Sequence, residues 1–104
     1  MPQVTVAAGI CGFVTTIAAA SEDRQHVKIT FETGCPHAAK AREGLTEVDA
    51  FQELFKKPHE TRVYQVLSPH LPHVTCPLYS GFLKAIEVAA GLALPKDVSI
   101  KIEA

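Results

Sequence analysis

Hydrophobic and polar residues alternate most clearly at residues 26–33, HVKITFET, where Val27, Ile29 and Phe31 stand against Lys28, Thr30 and Glu32. A period of two puts the apolar set on one face of a strand. Residues 13–20, FVTTIAAA, read as a second strand, and the short polar segment SEDRQ between the two predicts a hairpin. Pairing Ala20 with His26 makes partner numbers sum to 46, which sets Ile17 opposite Ile29, Thr15 opposite Phe31 and Cys11 opposite Cys35. The odd-numbered residues Phe13, Ile17, Ala19, Val27, Ile29 and Phe31 then share one face. A slip of one residue would turn one strand's apolar set outward, so the parity is more strongly specified than the pairing itself. A bulge near Gly9 or Gly12 would break the pairing.

Helical periodicity marks three further segments. One runs over about 36–44, after Gly34-Cys35-Pro36. A second runs over about 47–57, opened by Thr46 with Asp49 three positions on, a capping-box spacing, and carries Val48, Phe51, Leu54 and Phe55 as an apolar stripe. The third runs over about 77–91 with Phe82, Leu83, Ile86, Ala89 and Ala90 on one side, ended by Gly91 and Pro95. Residues 61–67, TRVYQVL, fit either a strand or a helical face. Residues 97–103, DVSIKIE, alternate and predict a final strand. The pattern as a whole predicts an α+β fold, a single domain over 1–104, with a small, mostly antiparallel sheet and helices packed on one face.

Composition narrows the function classes. The chain has 104 residues, 47% hydrophobic and 20% charged, ordinary globular usage that supports one core. Ten basic residues face eleven acidic ones, for a net charge of -1, and the basic residues are scattered apart from Lys56-Lys57. Counterion release needs a clustered basic face, so nucleic acid is not an expected partner. No basic amphipathic run points to a membrane surface. Residues 4–20 carry no charge, but Thr5, Gly9, Gly12, Thr15 and Thr16 interrupt the run and no positive segment precedes it. It reads as buried strand rather than as a signal peptide or membrane span. A cytoplasmic location is therefore expected, where three cysteines argue for metal or thiol chemistry more than for a disulfide frame. Free sheet edges make a homodimer one option.

The candidate chemistry lies in those cysteines. Cys35-Pro36 and Cys76-Pro77 each precede an expected helix, and proline favours the first helical position because its missing N–H had no partner there. Each cysteine then sits at or near an N-cap, where free N–H groups and the helix dipole favour thiolate. The stretch His70-Leu71-Pro72-His73-Val74-Thr75-Cys76-Pro77 adds two histidines. His73 and Cys76 have the spacing that folds two ligands around one ion. Cys11, Cys35 and Cys76 with His73 or His70 would make a Cys3His site for zinc, or the ligand set of an iron–sulfur cluster. Its role, structural or catalytic, stays open. Two alternatives use the same residues. Cys76 could be a reactive thiol with His73 as its base and Cys35 or Cys11 as the resolving thiol. The cysteines could also be core residues of an interaction module, since free cysteine is among the most buried residue types. Glu47, Asp49 and Glu53 read as a solvated helix face, and no glycine-rich nucleotide motif occurs.

The cysteine neighbourhoods carry a resemblance. Val74-Thr75-Cys76-Pro77 followed by a helix with Ala85-Ile86, Thr33-Gly34-Cys35 after a strand, and Cys11-Gly12 near the start resemble the TSCPD domain, a small cysteine-containing module. Val74 and Thr75 stand where that motif has Thr-Ser, and Leu78 where it has aspartate. His70 and His73 lie where the family often has a further cysteine. The resemblance implies a metal or thiol role. The sequence also resembles small uncharacterised proteins of anaerobic microbes.

Overall fold

Two glycines decide how the chain begins. Gly9 at φ 93° and Gly12 at φ 75° occupy the left-handed region that a Cβ disfavours. The Gly12 N–H closes onto the Gly9 carbonyl at 2.9 Å. The uncharged run expected to be buried strand therefore folds back on itself, as β1 (Gln3–Ala7) and β2 (Val14–Ala20). The computed structural model describes residues 2–104. β3 (His26–Thr33) and the short β4 (Glu47–Asp49) complete a four-stranded sheet in the order β1-β2-β3-β4, with every neighbouring pair antiparallel. The helices are α1 (Pro36–Ala39), α2 (Ala50–Leu54), α3 (Arg62–Leu67) and α4 (Leu78–Ala89), with a 3-10 turn at Pro58–Glu60. This is an α+β domain.

The β2–β3 hairpin keeps the expected parity but not the expected register. Ile17 pairs with Phe31, Ala19 with Ile29 and Thr15 with Thr33, a shift of two residues. The turn is wider because Asp23 organises it. One carboxylate oxygen accepts the N–H groups of Gln25 and His26, and the other meets the His26 ring at 2.8 Å. A two-residue shift preserves which side chains face inward. Ile17, Ala19, Val27, Ile29 and Phe31 are buried together. Lys28, Thr30 and Glu32, on the opposite face, are exposed, so the helices cover one face only.

The segment expected as one helix over 47–57 divides. Glu47–Asp49 alternates and pairs with β3, and only then does α2 begin. Asp49, not Thr46, is the N-cap, and its carboxylate accepts the Phe51 and Gln52 N–H groups at 3.0 and 3.2 Å. The expected stripe is not the buried face, for Phe51 and Phe55 are exposed. Glu53, expected on a solvated face, is buried. Its two oxygens accept the Arg62 and Val63 N–H groups, each at 2.8 Å, which caps α3 from outside its own chain segment. Residues 61–67, which fit two patterns, form α3 behind its N-cap Thr61, whose hydroxyl accepts from Tyr64 N–H. The first helix stops as a single turn at Ala39 and continues as turns to Gly44. Residues 97–103, expected as a strand, have no partner strand.

α4 is the principal cover of the sheet. Phe82 packs edge-on against Phe31 with ring centroids 5.0 Å apart, and both Phe82 and Ile86 are fully buried. Gly81 lets the helix approach β1 closely, since a Cβ there would overlap Val6 and lie 3.6 Å from Ile17. No helix among the described residues is long and apolar enough to cross a membrane.

Candidate metal centre

The antiparallel ladder brings three distant segments to one end of the sheet. β1 ends at Ala7 where β2 begins, so the turn bearing Cys11 lies at that end. β3 ends there too, because the Gly34 N–H bonds to the Val14 carbonyl at 3.2 Å, and Cys35 follows. The first turns of α4 sit over Val6 and Ile17, which places Cys76 at the same end. Cys11 is exposed on its turn and lies outside the ladder, so it is not the strand residue opposite Cys35 that the pattern predicts. Cys35 and Cys76 are half-buried against the core.

Local chemistry holds two of the three in place. Cys35 is the N-cap of α1, with Pro36 as the first helical residue. Its N–H donates to the Thr33 hydroxyl at 3.1 Å, and that hydroxyl is 2.7 Å from the buried Thr15 hydroxyl. Cys76 lies one residue before the α4 N-cap, Pro77, and its N–H donates to the His73 carbonyl at 3.2 Å.

The electrostatics of Cys76 differ from the helix-start expectation. Partial burial pushes its thiol up from the usual value, the Leu78 N–H acts in the opposite direction, and Cys35 and then Cys11 raise it further. Burial also pushes Tyr79 up, with Cys76 and Tyr64 adding to it. Tyr79 and Tyr64 stack with centroids 4.4 Å apart and planes 17° apart, forming an aromatic wall beside Cys76. Sequence reasoning missed this wall. The available signal was Tyr79 three residues after Cys76 on the helix, but Tyr64 lay in the segment that fitted either pattern.

The histidines stand differently. His73 is exposed in the turn before α4, and His70 is half-buried just after α3, with its N–H on the Leu67 carbonyl at 3.0 Å. Among the described residues, no three histidine, cysteine or carboxylate side chains already stand around one point at ligand spacing. A family model spans residues 2–102. The chain belongs to the family of unknown function DUF6951. The match covers all three cysteines of this DUF6951 member and both candidate histidines, His70 and His73. No curated protein and no solved structure matches it.

Proposed function

We propose that this DUF6951 protein is a small metal-binding domain in which Cys11, Cys35 and Cys76 bind zinc or an iron–sulfur cluster, with His73 or His70 as the fourth ligand. One observation carries the reading: three cysteines from a hairpin turn, a strand end and a helix start lie at one end of the sheet. Three half-buried or exposed thiols in one place repel as thiolates, and a cation turns that repulsion into attraction. The donor set suits zinc, which accepts sulfur and nitrogen in a tetrahedron. Closing the site requires the exposed Cys11 turn and the His73 turn to move inward. The resemblance to the TSCPD module agrees with this reading, as does a cytoplasmic location, where thiols stay reduced. A role for Cys76 as a reactive thiol fits less well, because its raised pKa lowers the thiolate fraction at neutral pH.

Anaerobic purification followed by elemental analysis and Co2+ titration tests the reading. The expected result is one metal centre per chain, with sulfur-to-cobalt charge-transfer absorption that Cys35→Ser and Cys76→Ser each abolish. Separate His70→Ala and His73→Ala variants identify the fourth ligand by a shift in that spectrum. A folded protein that carries no metal and gives no thiolate–cobalt absorption at alkaline pH overturns the proposal.

A further inference from the structure

The segment Asp97-Val98-Ser99-Ile100-Lys101-Ile102-Glu103 has the composition of a strand and pairs with no strand of the chain. Val98, Ile100 and Ile102 are 62%, 79% and 89% exposed. Among the described residues, the backbone from 93 to 104 makes no hydrogen bond with the domain, and the single ion pair, Lys101–Glu103 at 3.0 Å, lies within the segment. The family match runs through Ile102, so this strand-like segment belongs to the matched unit.

The same chain carries an edge that such a strand fits. The Ala19 N–H donates to the Pro2 carbonyl and the Ala8 N–H to the Phe13 carbonyl. The even-numbered residues of β1 therefore bond to β2, and the N–H and C=O groups of Gln3, Thr5 and Ala7 face outward. β1 is uncharged, and its inward residues Val4 and Val6 are only half-buried. The opposite edge is protected, because β4 is three residues long and carries Glu47 and Asp49. Beyond β4, Arg42 lies over the Phe31 ring at 5.5 Å. Long, uncharged, unpaired edges are the ones that recruit another strand.

We propose that residues 97–103 of one copy add to the β1 edge of a second copy, and that the exchange is reciprocal. Val98, Ile100 and Ile102 share one face of the added strand and cover Val4 and Val6, extending the core beyond β1. Asp97, Ser99, Lys101 and Glu103 face solvent on the open side of the sheet. A second copy is the occupant because the chain's own segment leaves α4 through the left-handed Gly91, φ 74°, and lies exposed while its own β1 edge stays open. A two-fold exchange satisfies both edges of the pair and leaves no open series of strands.

Two variants separate the parts of the proposal. Thr5→Pro removes an N–H that faces outward, so the β1–β2 ladder keeps its bonds. Ile100→Asp places a charge on the face meant to be covered. Sedimentation or light scattering of the full chain across micromolar concentrations should show a dimer of the 11.2 kDa chain. Each variant should weaken that dimer at least tenfold with its circular dichroism unchanged. Mixing the two variants should restore association in part, because one intact segment and one intact edge then meet. A wild-type chain that stays monomeric at hundreds of micromolar overturns the proposal. So does a dimer that survives both substitutions, or a monomer whose residues 98–102 are protected from hydrogen exchange by their own β1.

Discussion

Removing the buried Glu53 carboxylate should destabilise the domain strongly. Glu53 is 3% exposed and spends both oxygens on the first N–H groups of α3, at 2.8 Å each. Val63 is fully buried, so its N–H has no route to water if the acceptor goes. A hydrogen bond to a charged group contributes about 1.5–3 kcal/mol, and a buried donor left unpaired costs about 1–3 kcal/mol. For Glu53→Ala the expected loss is about 3 kcal/mol, part of the Arg62 N–H being recovered by solvent. A domain of this size has a total stability of about 5–15 kcal/mol, so the loss is a large fraction of it. At about 4–8 °C per kcal/mol, Tm should fall by roughly 12–24 °C. Glu53→Gln keeps the shape and one carbonyl acceptor but turns an amide NH2 toward the other donor, and should cost about half as much. Urea melts followed by circular dichroism measure both. Hydrogen exchange should place the loss in α3, with Val63 N–H losing protection first. Shifts below about 2 °C for both variants would refute the capping account.

Gly81→Ala should destabilise by about 1–3 kcal/mol despite alanine's better helix propensity, because the new methyl overlaps Val6. The double variant with Val6→Ala should recover part of that loss in a double-mutant cycle. His26 is raised above its ordinary 6.5 by its bond to Asp23, and Asp23 is held below its ordinary 3.8 by that same bond. The His26 part of this contribution is fully present below pH 6.5 and lost as pH rises through the raised value. The Asp23 part is present above pH 3.8 and lost as pH falls through the lowered one. NMR titration of His26 in Asp23→Asn should show its pKa falling back toward 6.5, and the turn's small stabilising effect should vanish between those limits. Because burial keeps Cys76 protonated, zinc binding through its thiolate should be accompanied by proton release at neutral pH. Calorimetry in buffers of different ionisation enthalpy measures that release. Cys76 in the metal-free protein should alkylate more slowly at neutral pH than an unstructured cysteine peptide.

Alternation in HVKITFET determined the inward face of β3, and through the even sum of partner numbers it determined the inward face of β2. A register error of two residues leaves every side chain on its correct side, which is why parity was legible and the pairing was not. The α4 stripe was legible for the same reason, since Phe82, Ile86 and Ala90 recur at helical spacing and are all buried. Cys-Pro at two helix starts was visible as a repeated local signature. What the sequence left open were choices made by partners far along the chain. Val48 pairs opposite Val27, so β3 took its segment into the sheet and delayed α2. Glu53 looked solvated until α3 presented its N–H groups. The alternating segment at 97–103 shows the converse, a strand pattern for which the single chain holds no paired edge. The placement of Cys11, Cys35 and Cys76 toward one end of the sheet depended on a turn made by two left-handed glycines and on α4 crossing β1 at Gly81. Periodicity is a local property carried by side chains in one element. Convergence is set by backbone pairing and packing between elements, and only the tertiary structure supplies it.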